Sequence, residues 1–108
     1  MSYFMRQDEI PAKTLPNGAV ARVVSGEKLQ FSIVRIEPGS VVAEHSHPHE
    51  QAGMVLEGEF DLDVGGERRT LRAGDLYLIP GGVKHAAYGL GAPAVTLDVF
   101  SPPREEYR

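Results

Sequence analysis

The sequence predicts an all-β fold, a jelly-roll sandwich of roughly eight or nine strands curled into a barrel, formed as one domain over residues 1–108. Three observations predict it. Turn signals recur at short intervals: Pro16-Asn17-Gly18, Ser25-Gly26, Pro38-Gly39-Ser40, Glu57-Gly58, Gly65-Gly66, Ala73-Gly74-Asp75, Pro80-Gly81-Gly82 and Gly89-Leu90-Gly91. The runs between them, Val20–Val24, Phe31–Ile36, Met54–Leu56, Phe60–Val64, Leu76–Ile79 and Val95–Phe100, are rich in Val, Ile, Leu, Phe and Tyr. No segment sustains apolar residues at helical spacing over about ten positions.

Each element follows from local chemistry. In Phe60-Asp61-Leu62-Asp63-Val64, side chains alternate across a strand, so Phe60, Leu62 and Val64 face a core and Asp61 and Asp63 face water. Gly65-Gly66 then supplies the positive φ of a tight hairpin. Arg68 and Arg69, beside that turn, read as a solvated face. In Val95–Phe100, Val95, Leu97 and Val99 share one face, and Thr96, Asp98 and Phe100 share the other. Asp is poor in strands, so Asp98 lies either in a pocket or on a solvent-facing edge. Two stretches suit helical turns: Asp8–Ala12, and Ser101–Glu106 with Ser101 as the cap and Pro102 in the first turn.

Composition narrows the function classes. Eleven Lys and Arg against fifteen Asp and Glu leave a net charge of −4, and no basic cluster is present to bind nucleic acid through counterion release. With no Cys, thiol nucleophiles, zinc ribbons and iron–sulfur clusters are excluded, and a reducing, cytoplasmic setting is expected. The N-terminal residues lack signal-peptide order, and no apolar run approaches the ~20 residues of a membrane span.

The four His are His45, His47, His49 and His85, and three of them fall in Glu44-His45-Ser46-His47-Pro48-His49-Glu50-Gln51. If Val41 to His47 is extended, His45 and His47 point to one face and suit a metal. A returning strand from Gln51 to Leu56 can bring a further ligand, either Gln51 or Glu50. These two residues face opposite ways on a regular strand, and Gln51 is favoured. His85, after Pro80-Gly81-Gly82, is the natural fourth ligand. His49 reads as an exposed or supporting imidazole.

Gly39-x5-His45-x-His47-x3-Gln51-x6-Gly58 and Gly74-x5-Pro80-x-Gly82-x2-His85 resemble the first and second motifs of the cupins. Two positions depart from the family pattern. Gly89 stands where Asn is usual, and Gln51 stands where Glu is usual. A neutral Gln beside three neutral imidazoles leaves a divalent ion its full charge, a stronger Lewis acid and anion trap that is less suited to high oxidation states. The donors accept zinc, nickel, iron, cobalt or manganese alike.

Asp98-x-Phe100-x-Pro102-x-Arg104, with the His-rich run and Leu78-Ile79-Pro80, resembles the pectin-degradation cupins that ketonise unsaturated uronates. The resemblance implies one divalent metal on His45, His47, Gln51 and His85. It also implies a pocket carrying Asp98, Phe100 and Arg104 as catalytic residues, and a small sugar acid as substrate. Cupins commonly pair, so a homodimer is expected, with Tyr3-Phe4 and the apolar outer strands as candidates to cover an edge. Rival readings are a metal-dependent dioxygenase or other sugar isomerase, and a non-catalytic sugar-acid binder.

Overall fold

The computed structural model describes residues 2–108. The strands are β1 (Lys13–Thr14), β2 (Val20–Ser25), β3 (Gln30–Ile36), β4 (Val41–His45), β5 (Glu50–Glu57), β6 (Glu59–Val64), β7 (Glu67–Arg72), β8 (Leu76–Ile79), β9 (His85–Gly89) and β10 (Ala94–Ser101). They form a six-stranded antiparallel sheet ordered β1-β2-β3-β10-β5-β8 and a four-stranded one ordered β4-β9-β6-β7. The all-β sandwich expected from the turn spacing is therefore observed. No helix among the described residues is long and apolar enough to cross a membrane.

One apolar cluster joins the sheets: Phe60 and Leu62 of β6 pack with Ile36, Val55, Ile79 and Ala94 of the larger sheet. Phe60 and Leu62 are buried and Asp61 lies on the opposite face, as the alternation requires. Gly65 and Gly66 adopt φ of 58° and 89° in the β6–β7 hairpin. A second cluster of Leu15, Ala21, Phe100 and Tyr107 seals the C-terminal segment against β2.

Four elements differ from expectation. β4 stops at His45, so His47 lies in the following loop rather than on the same strand. β7 is almost wholly exposed and polar, and it is held by pairing with β6 and by ion pairs such as Arg68–Asp61 at 3.2 Å. The C-terminal helical turn is confined to Glu105–Tyr107, because Ser101 still belongs to β10 and its hydroxyl donates to the Lys28 carbonyl. Near the N-terminus, the turn spans Gln7–Glu9 rather than Asp8–Ala12, because the backbone is already extended at Ile10.

The register of the larger sheet matters most. Cross-strand partners share a face, so Gln30, Phe100, Gln51 and Ile79 form one inward row, and Ser32, Asp98, Gly53 and Tyr77 form the next. The outward face carries Val24, Phe31, Val99, Ala52 and Leu78 in one row, and Arg22, Ile33, Leu97, Met54 and Leu76 in another.

Candidate metal centre and active-site cavity

The two sheets bring their chemistry together between their inner faces. His45, at the end of β4, is the register partner of His85, at the start of β9, and their ring centroids are 4.3 Å apart. His47 reaches the same point from the loop. That loop is tied to the turn before β9, where the Gly82 amide donates to the His47 carbonyl at 2.8 Å. A Cβ at Gly81 would lie 2.3 Å from the Pro48 carbonyl oxygen, so this close approach requires glycine. Ligand-capable atoms of His45, His47 and His85 all fall within 4.8 Å of one another.

All three imidazoles are oriented alike. The Nδ1 of His45 contacts the Ala43 carbonyl at 2.9 Å, that of His47 the His49 carbonyl at 3.0 Å, and that of His85 the Val83 carbonyl at 2.9 Å. A carbonyl only accepts, so Nδ1 carries the proton and Nε2 of the neutral ring presents a lone pair, the tautomer suited to a metal. Burial pushes the His85 pKa down to about 4, while burial and then Arg104 lower that of His47, so both rings are neutral near pH 7. The buried His85 Nε2 has no hydrogen-bond partner.

Gln51, at the start of β5, faces inward opposite Phe100, whereas Glu50 is exposed and pairs with Ser101. Gln51 presents its amide oxygen to His47 Nε2 at 3.1 Å. Two acceptors then face each other across that gap, an arrangement that a shared cation relieves. The orphaned Nε2 of His85, the tautomers and this facing pair all fit a divalent metal held by His45, His47, His85 and Gln51. His49 stands beside this group, its ring 5.4 Å from that of His47, and contributes its backbone carbonyl to the His47 ring.

Asp98 is on the inward face of β10, which lies between β3 and β5 rather than at an edge. It is 7% exposed. Tyr77 donates its hydroxyl to Oδ1, and Thr96 donates to Oδ2 at 3.2 Å. Burial raises the carboxyl pKa to about 6, although hydrogen bonds from Tyr77, Gln51 and Thr96 pull the other way. Phe100 is buried, its ring 5.9 Å from His47 and 5.6 Å from Tyr107.

Arg104 is held by its backbone and its head group. Fully buried Gln30 accepts from the Arg104 amide and donates to the Arg104 carbonyl, both at 3.1 Å. The guanidinium lies 4.0 Å over Tyr107 and donates to Glu106 through Nε at 3.0 Å and Nη2 at 2.8 Å. The structure thus gathers His45, His47, Gln51, His85, Asp98, Phe100 and Arg104 around one region between the sheets. Tyr77, Gln30 and Glu106, which the sequence did not single out, complete it. The adjoining cavity is lined by Gln51, Tyr77, Asp98, Phe100 and Arg104 together with His45 and His85.

The family model for the cupin domain matches residues 32–100. The chain is 30% identical to the pectin degradation protein KdgF of Dickeya dadantii (strain 3937), covering 97% of this chain and 96% of that protein. Among solved structures, KdgF from Halomonas sp. superimposes with a TM-score of 0.90 at 27% identity over 100% of both chains. An RmlC-like cupin from Shewanella frigidimarina NCIMB 400 also gives 0.90 at 27% identity, covering 100% of this chain and 97% of that one. The chain belongs to the cupin family, and within it is a relative of the pectin degradation protein KdgF.

Proposed function

We propose that the protein is a metal-dependent isomerase that opens and ketonises 4-deoxy-4,5-unsaturated monouronates, giving linear keto-deoxyuronates in pectin or alginate breakdown. The observation that carries this reading is a buried carboxylate, Asp98, beside a neutral-ligand metal group and a buried guanidinium, in a chain related to KdgF over nearly its whole length. A cytoplasmic setting is in keeping with the absence of Cys.

The reaction needs no redox step. Removing the proton from the C1 hydroxyl of the hemiacetal forms the aldehyde, breaks the ring C1–O bond and leaves an enolate at C5. Protonation of C4 then gives the ketone. Asp98 accepts the hydroxyl proton and returns one toward C4, and a carboxyl pKa near 6 suits a group that must both take and give a proton near neutral pH. Arg104 offers the guanidinium edge that Glu106 leaves free to the uronate carboxylate. Phe100 packs against the sugar and excludes water. A divalent transition ion on His45, His47, Gln51 and His85 supplies uncancelled positive charge for the carboxylate and the developing enolate.

The test is the decay of ultraviolet absorbance of a 4,5-unsaturated monouronate, with the spontaneous rate subtracted. Metal-loaded protein should accelerate it and a chelator should abolish the acceleration. Binding without acceleration would make the protein a sugar-acid binder, and uptake of oxygen would make it an oxygenase.

The same reading includes a homodimer. Its support is the outward face of the larger sheet, where Phe31, Ile33, Leu97, Val99 and Met54 are only half-buried and Leu76 and Leu78 are 73% and 61% exposed. Tyr3 and Phe4, both 86% exposed, add to the uncovered apolar surface. Light scattering should give twice the chain mass, and Leu97→Glu should halve it without changing turnover per site. A monomeric wild type would remove the dimer.

A further inference from the structure

Tyr77, Gly53 and Asp98 lie side by side across three neighbouring strands: Gly53 is the register partner of Asp98 on β10 and of Tyr77 on β8. The side chain of Tyr77 does not stand over its own strand. It lies across β5, so that a Cβ built on Gly53 would fall 2.2–2.4 Å from its ring carbons and hydroxyl oxygen. Its hydroxyl reaches Asp98 Oδ1 on the far side, while Thr96 takes Oδ2. The ring is further held by an edge contact with Phe60, centroids 6.3 Å apart.

We infer that Tyr77 is a positioning residue, which fixes the Asp98 carboxylate toward the cavity by reaching over a strand that Gly53 keeps bare. This deepens the proposed function and rests on its assignment of Asp98 as the proton-transferring group. A free carboxylate rotates about its terminal torsion through a broad range. One donor on each oxygen removes that freedom and leaves the remaining lone pairs for Gln51 and the substrate. The role also accounts for Gly53, whose φ is in no left-handed region and whose position in a central strand would ordinarily favour a larger side chain.

Tyr77→Phe keeps the ring and removes only the hydroxyl. In metal-loaded protein it should lower kcat by about 10- to 100-fold, the scale of a misplaced catalytic group, with KM and metal content near wild type. Gly53→Ala should have the same signature by expelling the ring. The double variant should lose no more than the stronger single one, because both changes break one contact. A tyrosine that only supports the fold would lower the urea midpoint and leave kcat of the loaded protein unchanged, which would overturn the inference. Asp98→Asn runs alongside. If it turns over at the wild-type rate, the assignment of Asp98 fails and this inference falls with it; if it is inactive while Tyr77→Phe is not, only the positioning role fails. Should wild type leave the unsaturated uronate untouched, the functional reading fails and the positioning role falls with it.

Discussion

The smaller sheet keeps Phe60 and Leu62 inside and turns Asp61 outward, where Thr70 donates to it at 2.6 Å and Arg68 at 3.2 Å. The larger sheet reverses this arrangement over much of its area. Gln30, Ser32, Gln51, Thr96 and Asp98 point inward, while Phe31, Ile33, Leu97, Val99 and Met54 point outward. Burying polar groups is unfavourable unless they are hydrogen-bonded. Here most are: Gln30 clamps Arg104, and Asp98 receives Tyr77 and Thr96. A sheet that furnishes a site therefore differs from one that furnishes a core, and its inner face must be read by partners rather than by hydropathy.

The largest effect expected from breaking that contrast comes at the metal group. His85→Ala removes the proposed ligand whose Nε2 lies orphaned between the sheets, so metal content by elemental analysis should fall and turnover should drop to the protein-free rate. Full metal retention would take His85 out of the ligand set. Next comes Asp98→Asn, which keeps the shape of the inner face and should retain metal while losing about 10²–10⁴-fold in turnover.

The same substitution sharpens the contrast through stability. In metal-free protein the folded Asp98 carboxyl has a pKa of about 6, above its ordinary value of 3.8, so the folded state holds the proton more tightly than the unfolded state. Stability should therefore fall as pH rises from about 4 to about 6, by up to roughly 3 kcal/mol from this group alone. Metal-free Asp98→Asn lacks that slope. It should be the more stable protein at pH 8 in urea unfolding, and the gap should close below pH 4; parallel profiles would contradict this. The smallest effect belongs to the conventional sheet, where Asp61→Asn touches only exposed partners and should leave turnover and melting temperature close to wild type.

Much of this was legible because it is local. Alternation in Phe60–Val64, the paired glycines at Gly65-Gly66, the spacing of His45, His47 and Gln51, and Pro80-x-Gly82-x2-His85 can each be read within a few residues. The inward turn of Thr96, Asp98 and Phe100 was legible as a shared face, but not its direction, since the opposite face is the more apolar. β7 was hidden because Glu67-Arg68-Arg69-Thr70 has no apolar alternation and is held by its hairpin partner. Tyr77 and Gln30 were hidden for a different reason. The first meets Asp98 only through the register of two other strand pairs, and the second meets Arg104 74 positions away. Non-local register leaves no mark in a single sequence.

In the proposed reaction Asp98, on the polar inner face, moves the proton that ends at C4. Proton NMR of the reaction run in D2O tests it most directly, because ketonisation places one deuterium at C4 of the product. Metal-loaded wild type should form a single C4 diastereomer, and Asp98→Asn with metal still bound should lose that enzymatic product. An equal mixture of both diastereomers at the protein-free rate, or a wild-type rate and stereochemistry in Asp98→Asn, would contradict it.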